Sequence, residues 1–365
     1  MKSLQRIFAI VRKEVRQLRR DRLTFGMIVG IPVIQLLMFG YAINMDVRNL
    51  DAAVVDLAGT SASRQVIMDL SQSQVINLRQ QASDAAELEL LLRQGKISVG
   101  IYLPPDYDRR LQQPGRAALQ LLVDGSDPVV QGAANQLAQI AQQMRLSPYN
   151  DRAPAVEVRT YFNPERRSPV NTVPGLVGVI LTMTMILFTG VAIVRERERG
   201  NLELLITTPV KTPELMLAKI TPYVLIGLIQ VTLVLLLGHF VFEVPLRGQL
   251  LDVYLVTLVF IVTNLALGLV ISTLAQTQFQ AMQMAFFVLL PSILLSGFIF
   301  PFAGMPRPAQ IIAEGLPLTH FVRLIRGVIL RGADLQEMAH EVAILGVFVV
   351  VFMLMAILRF SKRLE

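Results

Sequence analysis

VPGLVGVILTMTMILFTGVAIVRERERG (173–200) begins with 22 residues that contain no Asp, Glu, Lys or Arg, and then alternates charge from Arg195 to Arg199 before Gly200. A bilayer core needs about 20 apolar helical residues per crossing. The same reading recurs outward along the chain, at 23–43, 221–241, 253–275, 281–300 and 342–358, each run 17 to 23 residues long and free of those four residue types. Backbone groups in hydrocarbon must be satisfied within their own segment, so such runs are helices. The expected fold is an α-helical integral membrane protein with six transmembrane helices.

Composition agrees. Of 365 residues, 53% are hydrophobic and 17% charged, whereas soluble domains carry about 25% charged residues. A disordered chain is excluded as well, because disorder follows from too little apolar surface. With no cysteine, a disulfide framework, a thiolate nucleophile and a Cys-ligated metal site are all excluded.

The net charge of +7 is unevenly spread. Residues 1–22 carry eight Lys/Arg against two acids, and the segment 195–220 and the tail after 358 are also rich in Lys/Arg. Six spans put all three on one face, which by the positive-inside bias is cytoplasmic, with both termini there. This distribution reads as topology and not as nucleic-acid binding. The run 23–43 exceeds the h-region of a signal peptide and is expected to be an uncleaved anchor. Residues 1–22 read as an amphipathic interfacial helix, with Leu4, Ile7, Phe8, Val11, Val15 and Leu18 on one stripe. Such a helix anchors the chain at the lipid surface, offers a docking face for a cytosolic protein, or both.

Between the first two runs, 44–168 is polar and large enough for a domain. Strands are expected at 50–57, 97–103, 117–124 and 156–162, with a weaker candidate at 75–78. Helical patterns lie between them. Asp84 and Glu87 form a candidate capping box ahead of Leu88, Leu91 and Leu92. Val130, Ala133, Leu137, Ile140 and Met144 make an apolar stripe. Strands alternating with helices indicate an α/β domain on the outer face, inserted between the first and second spans. The rest, 173–365, is expected to hold spans two to six. Its cytoplasmic loop is 195–220, in which Pro213 opens a short helix. Its loop 301–341 returns outside, lying on or dipping into the outer interface.

No G-x-x-x-x-G-K-[ST] occurs, so the chain has no P-loop to bind a nucleotide. H-E-x-x-H and G-x-S-x-G are absent too, and the three histidines are scattered. No catalytic residue and no metal site are expected. The runs hold neutral polar residues instead, among them Thr182, Thr184, Thr189, Gln283, Ser292 and Ser296. Two readings stand: hydrogen bonds between helices or to their own backbone, or the lining of a path for amphipathic compounds. Without intramembrane charge, ion coupling is disfavoured. The alternating charges after residue 194 read either as a solvated face or as a stiff contact for a cytosolic protein.

An ordered set of motifs spans the chain: Arg12-Lys13-Glu14; Val54-Val55-Asp56; Asp124-Gly125-Ser126-Asp127-Pro128; Tyr161-Phe162-Asn163-Pro164; the charged run 195–203 ahead of Thr208-Pro209; Leu295-Ser296-Gly297-Phe298; Leu316-Pro317-Leu318-Thr319-His320-Phe321; and Arg326-Gly327. In this the chain resembles the permease subunit of type-2 ATP-binding-cassette (ABC) exporters, in the bacterial multidrug-efflux branch with a large periplasmic domain. Asn201 stands where Thr is commoner in that family. The resemblance implies a bacterial inner-membrane permease that pairs with a second copy or a paralog. Cytosolic ABC ATPase subunits would bring ATP and Mg2+, which this chain does not itself bind. A periplasmic adaptor and an outer-membrane channel often accompany such permeases. The coupling residues implied or suggested by the loop are Arg195, Glu196, Arg197, Glu198, Gly200, Glu203, Pro209 and Glu214. The alternative reading is a membrane receptor whose outer domain binds a ligand.

The charge asymmetry yields a direct test. In this cysteine-free chain, Gln65→Cys should react with an impermeant thiol reagent from outside intact cells. Thr208→Cys should react only after permeabilisation. The opposite pattern would reverse the topology.

Overall fold

The computed structural model describes residues 49–113, 116–143, 155–199, 212–300 and 302–359. The expected interfacial helix 1–22, the first run 23–43, and Gly200, Glu203 and Pro209 lie outside the described residues. The first part is an α/β unit: β1 Leu50–Asp56, α1 Ser61–Gln72, β2 Ile76–Gln81, α2 Ala85–Arg93, β3 Val99–Leu103, α3 Tyr107–Leu111, β4 Ala117–Asp124, α4 Pro128–Gln143 and β5 Ala155–Tyr161. The sheet order is β2-β1-β3-β4-β5. β1 runs parallel to both β2 and β3, β4 is antiparallel to β3, and β5 is parallel to β4.

β1 shows why the sheet is central. Successive side chains of a strand point to opposite faces. Ala52 and Val54 pack with α1 and α4, through Val66, Leu70, Val130 and Leu137. Ala53 and Val55 pack with Leu88 and Leu92 of α2 on the other face. Ala52, Ala53 and Val55 are fully buried, so the strand reads as a continuous apolar run. The weak strand at 75–78 proves to be β2, one residue later and longer. The cap of α2 differs in detail from a capping box. Asp84 Oδ1 accepts from Glu87 N–H at 2.8 Å, but Glu87 returns its carboxylate to Ser83 N–H at 2.7 Å, not to Asp84. The reciprocal box forms instead at α1, between Thr60 and Ser63.

The second part is helical: α5 Ser168–Glu198, α6 Thr212–Phe240, α7 Leu250–Leu274, α8 Gln278–Leu295, a short 3₁₀ turn Phe302–Gly304, α9 Arg307–Glu314, α10 Pro317–Arg326, a π-helical turn Gly327–Arg331 and α11 Ala339–Arg359. Among the described residues, α5, the Ile220–Phe240 stretch of α6, α7, α8 and α11 are long and apolar enough to cross a membrane. These are the five expected runs from 173 onward, and the protein is a helical membrane protein carrying an α/β unit.

α7 is the buried axis. It packs against α5, α6 and α11 and is flanked by α10. The Phe260 ring stacks on Phe321 of α10 with centroids 4.0 Å apart. A Cβ on Gly268 would collide with the Ile186 carbonyl and with Thr189, so glycine is what lets α5 and α7 cross backbone to backbone. α6 and α11 lie outside, with Leu225, Ile229, Leu233, Val350 and Leu358 exposed. Such apolar faces suit lipid.

One expectation changes. The helix opened near Pro213 is not short: it continues as α6 through Pro222 to Phe240. The stretch 301–341, expected to lie on or dip into the outer interface, divides into exposed and buried helices. In α9, Ile311 and Ile312 are exposed, whereas Phe321, Leu324 and Ile325 of α10 and Val328 and Ile329 of the π turn are buried. α10 docks against α5, α7 and α11, because its apolar stripe matches their faces.

Beside α10 sits a charged cluster. His320 is buried; its Nδ1 lies 2.5 Å from Glu341 Oε2 and its Nε2 lies 2.9 Å from the Glu314 carbonyl oxygen. Arg323 bridges Glu314 at 2.6 Å and Glu341 at 3.2 Å. Both ring nitrogens face acceptors, which suits the doubly protonated imidazolium. Burial lowers the His320 pKa, but the Glu341 hydrogen bond, the Glu314 carbonyl and the Glu341 charge outweigh it, and the net shift is upward. A raised folded-state pKa gives stability that is fully present below the unfolded value of about 6.5 and lost as pH rises through the folded value. In detergent, the melting temperature should therefore fall as pH is raised through that window. His320→Asn should flatten this dependence; an unchanged slope in the variant would assign it to other groups.

Candidate functional site

Two regions of the helical part gather the candidate residues. The first is a shallow groove between α5 and α8, lined by Thr182, Met183, Ile186, Leu187, Ala285, Phe286 and Leu289. Of the six candidate path residues, only Thr182 lines it, and its hydroxyl donates to the Gly178 carbonyl at 2.8 Å. Thr184 turns toward α6, donating to Ile180 O at 2.7 Å and to Gln230 Oε1 at 3.0 Å. Thr189 is buried at the Gly268 crossing and donates to Met185 O at 3.0 Å. Ser292 donates to Val288 O at 2.7 Å, and Ser296 to Ile293 O at 3.4 Å. Gln283 Oε1 is buried without a hydrogen-bond partner among the described residues. The hydroxyls thus bond mainly to carbonyls one turn back in their own helices, and the groove wall is apolar.

The second region is the charged end of α5. The helix runs unbroken for 31 residues to Glu198, roughly 46 Å at about 1.5 Å per residue, against a hydrocarbon core of about 30 Å. The alternating charges therefore extend a rigid rod. They also close on the α7–α8 turn. Glu198 accepts from Gln278 N–H at 2.8 Å and from the Gln278 side-chain amide. Arg197 donates to the Ala275 carbonyl at 3.0 Å, and Arg195 to Gln278 Oε1 at 3.3 Å. Glu198 thus satisfies an orphan N–H at the α8 N-terminus, where the helix dipole favours an anion. Arg197 caps a carbonyl just past the end of α7. Glu196 is half-buried, and Glu214 falls in the first turn of α6.

Sequence reasoning missed Gln278 as the partner of this clamp, since the turn 276–280 is uncharged. One signal was present: Thr277-x-x-Gln280 has capping-box spacing. Thr277 does cap α8, accepting from Gln280 N–H at 3.2 Å, while Gln280 Oε1 accepts from Gln276 N–H at 2.8 Å. Also missed was the seam between the α/β unit and the helices. There Arg93 meets Glu337 at 2.5 Å, and Arg167 donates to the Phe242 carbonyl at 2.7 Å. At the same seam, burial raises the Asp127 carboxyl above its ordinary range, against the opposing pull of Arg326.

The amino-acid sequence that builds this arrangement is similar to those of known proteins. The family model described as "ABC-2 family transporter protein" matches residues 22–358. The chain is 31% identical over 372 residues to the probable multidrug ABC transporter permease YbhS of Escherichia coli K12, covering 100% of this chain and 98% of the relative. It is 28% identical over 336 residues to the probable multidrug ABC transporter permease YbhR of the same organism, covering 91% of each. It is also 25% identical to ABC transporter G family member 20 of Dictyostelium discoideum, where the match covers 99% of this chain and 51% of the relative. The chain belongs to the ABC-2 family of transporter proteins, as a multi-pass membrane permease.

Proposed function

We propose that this chain is the membrane-spanning subunit of an ATP-driven exporter of drugs or other amphipathic, lipophilic compounds. In this reading it has six spans with both termini in the cytoplasm of a bacterium, and the domain 44–168 stands in the periplasm. It pairs with a second copy or a paralog. Cytosolic ABC ATPase subunits bind ATP and Mg2+, so the chain itself is not an enzyme. A periplasmic adaptor and an outer-membrane channel would continue the route.

The carrying observation is α5. It is one continuous helix from the α/β unit, past the apolar groove, to the clamp at Glu198. A push at its charged end moves its groove face without an intervening flexible linker. The clamp passes the same push to α8, the other wall of the groove. In this reading Arg195, Glu196, Arg197, Glu198, Gly200, Glu203, Pro209 and Glu214 form the surface that an ATPase contacts or stiffens. The groove gives an apolar lining with Met183 and Phe286, side chains suited to varied lipophilic compounds.

Inside-out vesicles containing the permease with its ATPase should accumulate a lipophilic dye on addition of ATP, and continue after the proton gradient is collapsed. Accumulation that tracks the gradient at intact ATP would overturn the proposal in favour of ion coupling. Ligand binding by the outer domain without any ATP-dependent flux would favour a receptor.

The coupling assignment is tested separately. Glu198→Lys with Glu203→Lys should lower substrate-stimulated ATPase activity and transport together, while membrane insertion is retained. Lys96→Glu, an exposed change in the α/β unit, should leave both intact. Normal turnover in the double variant would place the coupling surface elsewhere.

A further inference from the structure

The turn Asp124–Asp127, between β4 and α4, is where the α/β unit is gripped by the helices. Its backbone is held from within, Ser126 N–H donating to Asp124 Oδ1 and Val129 N–H to Asp127 Oδ1, each at 2.9 Å. Three elements of the helical part then reach it. The Asn171 amide of α5, with its nitrogen toward the turn, donates to the Gly125 and Ser126 carbonyls at 3.0 and 3.2 Å. Arg331 Nη1 lies 3.4 Å from Asp124 Oδ2. Arg326 Nη1 lies 3.9 Å from Asp127 Oδ2. The π-helical turn Gly327–Arg331 is what brings the two arginines, five apart in sequence, to one turn. Such turns interrupt helices frequently at functional sites.

Arg326 has a second engagement. Its Nη1 donates to the Gly297 carbonyl at 3.1 Å and its Nη2 to the Phe298 carbonyl at 3.5 Å. These carbonyls lie immediately beyond the C-cap of α8, where a cation also suits the helix dipole. The Phe298 ring presses on α5, occupying the space a Cβ on Gly175 would need. One buried guanidinium therefore touches the end of a groove wall on one side and faces the α/β unit on the other. Buried ion pairs seldom add stability over apolar packing, and their best-attested use is to specify a register or a switch. Here both carboxylate contacts are long, and Arg326 is bonded more closely to the Gly297 carbonyl than to Asp127. A shift of the turn alters the pull on the α8 end before any bond must break.

We propose that Arg326 is a positioning residue that links the seating of the α/β unit, through Asp127, to the place of the α8 end, and so to the width of the α5–α8 groove. The consequence for flux rests on the transport reading above.

The test uses the complete permease with its ATPase in vesicles. Asp127→Asn keeps an acceptor for Val129 N–H and removes only the charge. Arg326→Lys keeps the charge and loses the fork that spans two carbonyls. Both complexes should assemble and melt like the parent and hydrolyse ATP at the basal rate. Dye moved per ATP should fall about fivefold or more, the range of a typical coupling between sites. Arg109→Gln, exposed on α3, should change nothing. Hydrogen exchange of the permease supplies a readout independent of flux: the amides of 296–300 should exchange faster in Asp127→Asn than in the parent. Parental flux per ATP in both variants, or a loss matched by lost folded protein, would overturn the coupling role. Unchanged exchange at 296–300 would overturn the link to α8. A parent without ATP-driven flux but with faster exchange in the variant would sink the transport reading and keep the link.

Discussion

The contact on which the rest of the helical part depends is the crossing of α5 over α7. In lipid, helices gain little from hiding apolar side chains, because the tails around them are as apolar as leucine. Close approach is what holds them. At Gly268 the missing side chain lets α7 rest against the Ile186 carbonyl and Thr189 of α5. From that crossing α7 becomes the axis, and α10 can lay Phe321 on Phe260. α6 and α11 then pack on the outside with apolar faces left uncovered.

Charge is kept out of the middle and used at the ends. Glu198 meets the N-terminus of α8, and Arg326 meets the carbonyls past its C-terminus. Unpaired groups at a helix end are costly to bury, and at each end of α8 a charged side chain from another helix answers some of them. The two ends of one helix are thus tied to two different neighbours, α5 and α10. Its apolar midsection with Ala285, Phe286 and Leu289 is left as a wall of the groove.

The spans from 173 onward and the strands were legible because they rest on period and length alone. Four strong strand runs and the weak one at 75–78 all paired into the sheet. What was not legible depends on packing between distant segments. The stretch 301–341 showed apolar residues and four prolines; nothing local says that Phe321 turns inward and Ile311 outward. The candidate site was legible in part. The alternating charges after 194 announced a stiff extension, but Gln278, their partner, lies some 80 residues on. For Thr184 and Thr189 the sequence leaves open a path lining or hydrogen bonds within and between helices; in the fold both bond to their own backbone and serve contacts with α6 and α7. Asp124 and Asp127 stood in a recognisable motif, yet their partners Arg326 and Arg331 are about 200 residues away.

The direction of the strands has a consequence for how such chains diversify. β1 and β3 start, and β4 and β5 finish, at the same edge: Ala52 pairs with Val99, Val99 with Val123, and Asp124 with Tyr161. The polypeptide therefore enters and leaves the α/β unit through one doorway, and the turn gripped by Arg326 and Arg331 stands beside it. The opposite edge, with the β1–α1 and β3–α3 turns, is free to grow. Insertions there tax neither the doorway nor the helices beneath, since loop length adds little entropy cost. One membrane frame can in this way carry heads of different size and surface, each inheriting the same fitting at its base.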